Sequence, residues 1–322
     1  MMKVSILVPV YGVERTVEQC AESLFRQTYG LLEYIFIDDC SPDRSMELLG
    51  SVLKRYPERQ AQVRMLRHDR NRGVGAARLT ALQAATGDFV LQADSDDYLP
   101  LDAVERLVER QQQTGADVVD GGYCQVAGGH AVADVMPFHG SKDDYLKLLL
   151  AQNTLSHQVW ARLIRRSLAV EPDVLPLEGV NQADDYCVVP RLMYSARRAW
   201  VDRVVYFYRM DEPGMFKDGI SPRHVGSVLR ANQTVAAFYE QHDAEGRFAY
   251  AAKVGLLKIY VQAVRAGVGA RELESRLTAF SSSRLLRGAR LMLRLPGGHR
   301  LVRLLYLVLK GLLRERILRC GK

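Results

Sequence analysis

Residues 4–11 read VSILVPVY, a nearly continuous apolar run that is rich in β-branched side chains. Such a run is typical of a strand that is buried on both faces at the centre of a sheet. Thr16 then stands at a helix N-cap position, and from Val17 the apolar residues recur with the spacing of a one-sided helix. The segment therefore predicts a buried strand followed directly by a helix.

The same alternation continues along the next hundred residues. Further strands are predicted at 34–37, 63–66 and 89–92, each followed by a helical segment, at 41–54, 75–85 and 101–113. Repeated strand–helix units at this spacing imply parallel strands whose crossover helices cover both faces of the sheet. From Asp144 onward helical patterns dominate, apart from a short strand at 204–209. The predicted fold class is α/β: a doubly wound, mostly parallel sheet followed by a helical C-terminal region.

Composition narrows the class of protein. The chain has 322 residues, of which 48% are hydrophobic and 25% charged, so disordered, collagen-like and polytopic membrane proteins are excluded. Its five cysteines are scattered, with no CxxC pair, and we interpret them as reduced thiols. No export signal is visible before the first strand. We therefore expect a cytoplasmic protein.

Charge separates the C-terminal tail, residues 281–322, from the rest of the chain. The tail holds eleven Lys or Arg residues and one acid, whereas the first 280 residues hold 33 bases and 36 acids. In its second half the basic side chains fall on one side of a helical wheel and the leucines on the other. No uncharged run approaches the ~20 residues needed to span a bilayer.

This amphipathic pattern predicts that the tail lies on an anionic membrane surface, at the inner face of the cell membrane. The alternative is a helix that packs on the protein's own body with its arginines in solvent. Nucleic acid is not expected as a partner, because it would leave the leucine face unexplained.

Polar side chains follow the predicted strands where each strand ends. Asp38 and Asp39 follow the second strand, Asn71 the third, and Asp94-Ser95-Asp96 the fourth. Ligands of open parallel sheets bind at this edge. Clustered carboxylates favour a hard divalent cation, and Mg²⁺ or Mn²⁺ usually completes its shell with substrate phosphates. The pattern predicts a metal at Asp94 and Asp96 and a diphosphate ligand.

These residues allow comparison with three other kinds of motif. The acidic turn can simply cap the helix behind Pro100. An EF-hand is excluded because Leu99 stands where that loop requires glycine. Gly73 and Gly75 suggest a dinucleotide-binding motif only weakly, because Arg78 replaces its third small residue and the motif follows the third strand rather than the first.

Four motifs in order, VSILVPVYG, IDDCSPDRS, NRGVGAAR and ATGDFVLQADSDDYL, resemble the nucleotide-sugar domain of glycosyltransferase family 2, which has the GT-A fold. The later segments VWARLIRRSL, ADDYCVVPRLM and VVYFYR are also similar to that family. The resemblance implies a GT-A domain at 1–215, with a nucleotide-sugar half at 1–100 and an acceptor half at 101–215. A helical extension at 216–280 and the tail at 281–322 lie outside it.

The resemblance also implies roles for individual residues. Pro9, Val10 and Tyr11 would line the nucleobase pocket, Asp39 would contact the base or ribose, and Asp38 would support the turn. Arg78 would steady the nucleotide or the acidic cluster, and Asn71 and Ser95 belong with the donor-binding residues. Asp94 would sit near the ribose and metal, with Asp96 as the direct metal ligand.

The pair Asp184-Asp185 matches the family's Glu-Asp pair, which assigns the catalytic base to Asp185. Inverting transfer requires such a base, because the acceptor hydroxyl must lose a proton as the nucleotide diphosphate leaves from the opposite face of the sugar. The alternative is an acidic helix start after Asn181. The sequence departs from the family at Gly12, Cys40, Leu79 and Asp184, and Cys40 replaces a glycine in the turn after the second strand.

Together these observations predict an inverting glycosyltransferase that uses Mn²⁺ or Mg²⁺ and a nucleotide diphosphate sugar, here a UDP-sugar. It would transfer a hexose or N-acetylhexosamine to a glycan or lipid-linked acceptor in cell-surface polysaccharide synthesis. A nucleotidyltransferase is an alternative, but the loop Gly12-Val13-Glu14-Arg15 is too poor in glycine for it. The second alternative is a non-catalytic, membrane-tethered scaffold that binds nucleotide sugars without turnover.

Overall fold

The computed structural model of the protein describes residues 2–152, 155, 157–211 and 224–320. The chain forms two compact units. The first unit comprises Met1–Pro137, Gln158–Gly179 and Ser195–Gly214, and the second comprises Phe138–His157, Val180–Tyr194 and Met215–Lys322. The domain boundary expected at 215–216 lies outside the described residues, and the predicted domain limits stay predictions.

The first half of the sheet, in the first unit, matches the predicted alternation. Strands β1 to β4 span Val4–Val10, Leu32–Asp38, Val63–Arg67 and Phe89–Gln92. The helices that follow them, α1 to α4, span Val17–Phe25, Ser45–Leu53, Val74–Ala84 and Ala103–Thr114. The strands lie in the order β3-β2-β1-β4, and every neighbouring pair is parallel. The doubly wound α/β fold class is therefore confirmed.

The second half of the sheet is mixed. Strands β5 to β8 span Val118–Ala127, His130–Val135, Arg162–Arg165 and Arg198–Arg209. β7 joins β4 and β5 through antiparallel pairs, β6 is antiparallel to β5, and β8 is parallel to β5. The strand predicted at 204–209 is part of β8, whereas the hairpin β5–β6 was not predicted. Helix α6 at Arg166–Ala169 and 3-10 turns at Pro57–Gln62 and Pro172–Val174 complete this unit.

The core of the first unit explains why β1 and β2 form. Every residue of these two strands is buried. On one side of the sheet Phe25 of α1 makes edge contacts with Tyr34 and Phe36, at 5.3 and 6.0 Å between ring centroids. Aromatic pairs of this geometry stabilise a core beyond the area that they bury.

Helix α2 starts later than the sequence suggested. The sequence pattern predicts its start at residue 41, but the helix begins at Ser45. The carboxylate of Asp43 accepts hydrogen bonds from the hydroxyl of Ser41, at 2.7 Å, and from the backbone N–H of Ser45, at 3.1 Å. These bonds hold residues 41–43 in a turn before the first helical residue.

The second unit is helical, as predicted for the C-terminal region. Its helices are α5 at Lys142–Leu150, α7 at Asp184–Ser195, α8 at Val225–His242, α9 at Ala249–Arg265, α10 at Ala270–Arg276, α11 at Arg284–Leu293 and α12 at Gly298–Cys320. α9 is central and packs against α5, α8, α11 and α12. At Gly255 in α9 a Cβ atom would lie 2.1 Å from the carbonyl oxygen of Leu150, so the approach of α5 requires glycine there.

Among the helices of the described residues, none is long and apolar enough to cross a membrane.

Candidate active site

An acidic turn follows β4 at the point where the strand order of the sheet reverses. β1 has β2 on one side and β4 on the other, which makes the gap after their carboxyl ends the expected ligand site of an open α/β sheet. Carboxylate oxygens of Asp94, Asp96 and Asp97 lie within 4.8 Å of one another. Asp97 is buried, while Asp94 and Asp96 are partly exposed. The turn thus presents two carboxylates to solvent and keeps a third below them.

Strand β8 holds the buried carboxyl group. The hydroxyl of Tyr206 donates to Asp97 Oδ2 at 2.9 Å, and the backbone N–H of Arg209 donates to Asp97 Oδ1 at 2.7 Å. Burial raises the pKa of Asp97 to about 9, and the neighbouring charges of Asp96 and Asp94 add to the rise. Because both of its oxygens accept hydrogen bonds from β8, Asp97 fixes the turn.

Tyr206 and Arg209 also contact the rest of the acidic turn. The Tyr206 oxygen accepts the backbone N–H of Asp94 at 3.0 Å, and its ring stacks on Trp160 at 4.4 Å between centroids. The guanidinium of Arg209 donates to the backbone carbonyl of Asp96 and to the side chain of Gln19. Sequence analysis found the strand at 204–209 but missed both residues as part of the site.

Arg78 lies beside the same turn. This buried side chain, on α3, donates from Nη2 to Asp94 Oδ1 at 2.8 Å. Such a charge-assisted hydrogen bond is stronger than one between neutral groups and orients the Asp94 carboxylate. The structure therefore brings Arg78 to the acidic cluster, one of the two places that the resemblance allowed, while its role toward a nucleotide stays a prediction.

A second carboxylate site lies at the end of β2. Asp39 is buried, and its carboxylate accepts the backbone N–H groups of Arg72, at 2.9 Å, and Gly73, at 2.7 Å. His68 Nδ1 lies 2.6 Å from Asp39 Oδ1, and His68 Nε2 lies 2.9 Å from the Thr80 hydroxyl. Asp39 thus ties the loop before α3 to the edge of the sheet.

The turn between β2 and α2 contains the departure noted in the sequence. Asp38 accepts the backbone N–H of Ser41 at 2.8 Å, which closes the turn. Cys40 between them has a φ of 59°, in the left-handed region. A side chain there costs roughly 1–2 kcal/mol, which explains why glycine suits this position.

The other predicted donor-binding residues lie in different environments. Pro9 and Val10 are buried, and the Val10 side chain belongs to the hydrophobic core. Tyr11 is about half exposed, and Asn71 is exposed. Ser95 is buried, and its carbonyl oxygen accepts the Thr16 hydroxyl at 3.3 Å. Their roles in nucleotide binding stay predictions.

The predicted base lies at the start of α7, in the second unit. Asp184 is buried and Asp185 partly exposed. The helix entry is fixed by Ser227, whose hydroxyl accepts the backbone N–H groups of Asn181 and Gln182, both at 2.9 Å, and donates to the Gln182 carbonyl at 2.8 Å. Ala183, with a φ of 64°, leads directly into the acidic pair. The structure therefore places both acids in the first turn of an anchored helix.

The acidic turn fits a hard divalent cation. Mg²⁺ and Mn²⁺ prefer carboxylate oxygens and are often held by one or two of them, with water and phosphate oxygens in the other positions. Asp94 and Asp96 supply that set, because Asp97 is engaged by Tyr206 and Arg209. A metal held in this way would lie at the solvent side of the turn.

Comparisons with known proteins agree with this fold. A profile described as Glycosyl transferase family 2 matches residues 5–168, just over half of the chain. The uncharacterized glycosyltransferase EpsJ of Bacillus subtilis is 28% identical over 250 residues, which cover 76% of this chain and 71% of that protein.

Two solved structures share the fold. S. aureus TarS 1-349 in complex with UDP has a TM-score of 0.62 and 20% identity, covering 90% of this chain and 78% of that one. Mannosyltransferase PcManGT from Pyrobaculum calidifontis, in complex with GDP-Man and Mn²⁺, has a TM-score of 0.50 and 17% identity. The match covers 97% of this chain and 86% of that one.

A doubly wound sheet with acidic residues after β2 and β4 is the architecture of a GT-A enzyme, and the protein is a glycosyltransferase. The chain belongs to glycosyl transferase family 2. The family resemblance noted in the sequence is confirmed.

Proposed function

We propose that the protein is an inverting glycosyltransferase that uses Mn²⁺ or Mg²⁺ and a nucleotide diphosphate sugar, most simply a UDP-sugar. The observation that carries the proposal is the acidic turn after β4, with Asp94 and Asp96 at its surface and Asp97 locked beneath. TarS has been solved with UDP and with UDP-GlcNAc, and PcManGT with GDP-Man and Mn²⁺. Those ligands support a nucleotide-sugar donor here.

Donor binding is assigned to the carboxyl ends of β1, β2 and β4. Asp38 and Asp39 follow β2, and the N–H groups bound to Asp39 order the loop that leads into α3. In this proposal the donor-binding residues are Pro9, Val10, Tyr11, Asp38, Asp39, Asn71, Arg78, Asp94 and Ser95. A glycine-containing loop followed by a helix start is a favourable setting for phosphate groups.

Metal binding is assigned to Asp96 as the direct ligand, with Asp94 beside it. A divalent ion held there supplies charge stabilisation for the leaving diphosphate. Arg78 holds the Asp94 side chain, and Tyr206 and Arg209 fix the backbone of the turn, so that both carboxylates are oriented before the donor binds. Such orientation in advance reduces the cost of reorganisation during the reaction.

Proton removal is assigned to Asp185, with Asp184 as its buried neighbour. A partly exposed carboxylate in the first turn of α7 can accept the proton of an acceptor hydroxyl. The acceptor in this proposal is a glycan or lipid-linked precursor in cell-surface polysaccharide synthesis, and the transferred sugar a hexose or N-acetylhexosamine. The enzyme would work in the cytoplasm, peripheral to the inner face of the cell membrane.

The metal assignment is tested by calorimetry of nucleotide binding with and without Mn²⁺. Asp96→Ala should remove the gain in UDP affinity that Mn²⁺ gives and abolish transfer. Asp102→Ala is the matched control. Asp102 lies six residues after Asp96 and pairs with Arg106 at the surface, so its loss should change neither the Mn²⁺-dependent gain in UDP affinity nor transfer. A metal-dependent gain that persists in Asp96→Ala would exclude this role for Asp96.

The base is tested by Asp185→Asn, which keeps the shape of the side chain but cannot accept the proton. Donor binding should persist while turnover falls by ~10² or more. Asp184→Asn serves as the comparison, because a larger loss there would transfer the role to that residue. NMR of the product anomer decides whether transfer inverts, and a panel of nucleotide sugars in a thermal-shift assay identifies the donor. Binding without turnover would favour the scaffold alternative.

A further inference from the structure

Helix α12 is docked on the second unit by one of its faces. Val302, Tyr306, Leu313 and Ile317 are buried, and the helix packs on α9 and α5. The hydroxyl of Tyr306 donates to the carbonyl oxygen of Gln152 at 3.2 Å. The sequence allowed a tail that lies on a membrane or a tail that packs on the protein's own body. One helix can do both, because the faces of α12 that are not packed against α9 and α5 stay exposed to solvent.

A stripe of aliphatic side chains lies on the solvent side of α12. Leu301, Leu304, Val308 and Leu312 are each more than half exposed. At 100° per residue they fall within about 80° of one another, roughly opposite the packed face, and extend ~16 Å along the axis. We call these four residues the leucine stripe. Single exposed leucines are ordinary, but an aligned set marks an interaction surface.

A basic stripe runs beside the leucine stripe. Arg300, Arg303, Lys310 and Arg314 fall within about 80° of one another, between the packed face and the leucine stripe. The three arginines are exposed, while Lys310 lies over the Tyr306 ring with Nζ 5.6 Å from its centroid. The outer side of α12 is thus half apolar and half cationic.

Helix α11 repeats this combination. Leu291 lies in its last turn and Leu295 two residues after its end, and both side chains are more than half exposed. Arg287, Arg290 and Arg294 line an open pocket together with Leu291. Arg290 is buried and donates to the carbonyl oxygen of Ser281 at 3.2 Å, so this pocket has an ordered wall. Glu274 also lines this pocket and pairs with Arg294 at 2.7 Å, so the pocket holds three arginines against one acid next to exposed apolar side chains.

We propose that the leucine stripe and the basic stripe form a docking surface for an anionic phospholipid bilayer. The apolar side chains enter the boundary between headgroups and acyl chains, and the arginines bind lipid phosphates at its surface. The helix lies along the membrane, consistent with the finding that no helix in the described part of the chain can span one. This deepens the proposed peripheral location but does not depend on the transfer reaction.

Charge and size favour a bilayer over a protein partner. The tail at 281–322 contains eleven bases and one acid, complementary to a surface of lipid phosphates. The leucine stripe covers on the order of a few hundred Å², short of the ~800 Å² that each partner buries in a stable protein interface. Because α12 is already folded on α9, binding does not have to order the helix.

The test uses the full-length protein and sedimentation with vesicles. Vesicles of phosphatidylglycerol and phosphatidylcholine should bind the protein, and vesicles of phosphatidylcholine alone should bind it at least 10-fold less. High salt should release only part of the protein, because salt screens the arginines but not the apolar contact. Deletion of the tail is unsuitable, since Leu286 and Val302 are fully buried and their loss would open the packing around α9.

Two sets of point variants separate the apolar and cationic contributions. The first replaces three exposed residues of the leucine stripe with serine, and its control replaces exposed Leu101 and Val132 of the first unit. The second replaces three arginines of the basic stripe with glutamine, and its charge-matched control replaces Arg26, Lys54 and Arg271. The variants are Leu304→Ser, Val308→Ser and Leu312→Ser, and Arg300→Gln, Arg303→Gln and Arg314→Gln.

Each stripe variant should lower the partition coefficient for anionic vesicles at least 10-fold, while both controls stay within 2-fold of the wild type. Circular dichroism and transfer to a soluble acceptor should be unchanged, so failure of this surface is distinguishable from failure of the proposed enzyme. Wild-type-like vesicle binding by either stripe variant would overturn the proposal. The proposal would also be overturned if the wild-type protein formed a dimer that the serine substitutions dissociate. Binding of the protein to RNA but not to vesicles would overturn it as well.

Discussion

Replacing Tyr206 with phenylalanine tests whether β8 holds the acidic turn. The Tyr206 side chain is fully buried, and its hydroxyl joins the Asp97 carboxyl group to the backbone N–H of Asp94. Phenylalanine keeps the stacking on Trp160 but removes both hydrogen bonds. At about 1 kcal/mol for each lost bond at a buried site, the free energy of unfolding should fall by roughly 2 kcal/mol.

The same substitution should loosen the turn that carries Asp94 and Asp96. We therefore expect the Mn²⁺-dependent part of UDP affinity to fall about 10-fold, measured by calorimetry, alongside the loss of stability measured by urea unfolding. Tyr208→Phe is the matched control, since Tyr208 lies two residues along β8 and also stacks on Trp160, at 5.5 Å. Equal effects of the two substitutions on nucleotide affinity would refute the reasoning.

Three further predictions concern stability. Asp120 is buried between Arg162 and Arg198, so Asp120→Asn should lower the free energy of unfolding by about 3–5 kcal/mol in urea titrations. Cys40→Gly should raise it by roughly 0.5–1 kcal/mol, because glycine relieves the left-handed backbone at some cost in chain entropy; a loss of stability would contradict this. Burial of Asp117 opposes ionisation, but hydrogen bonds from arginine side chains, chiefly Arg197, outweigh it and lower its pKa to about 2. Since the unfolded pKa is ~3.9, this stabilisation is full above about pH 4 and is lost as the pH falls toward 2. The stability difference between wild type and Asp117→Asn should thus shrink by about 1 kcal/mol from pH 5 to pH 3, and a constant difference would count against it.

Much of the first unit follows from local sequence pattern. The strands at 4–10 and 89–92 are short apolar runs, and the helices between strands have one apolar face, so each element is encoded by residues close together in the chain. The gathering of Asp39 and Asp94 at one edge also follows, because the carboxyl ends of parallel strands meet there. For these features the sequence predicted both the fold class and the acidic turn.

Some local expectations failed because distant partners competed for the same groups. Thr16 stands at the N-cap position of α1, as predicted, but its hydroxyl makes no capping bond. It donates instead to the carbonyl oxygens of Val13 and Ser95. Gln19, three residues further along the chain, accepts a hydrogen bond from Arg209. A side chain with several possible partners is decided by which of them the fold brings near.

The sequence by itself determined the alternation of strands and helices, the acidic turn and the amphipathic tail, because each depends on periodicity within one segment. Only the tertiary structure decided that Tyr206 binds Asp97, 109 residues away, because that contact depends on the pairing of β8 with β5. It likewise decided that Val302 is buried where α12 packs on the second unit, while Leu304 is exposed to solvent. A helical pattern shows which residues share a face, but the neighbour that covers each face is set by packing between distant segments.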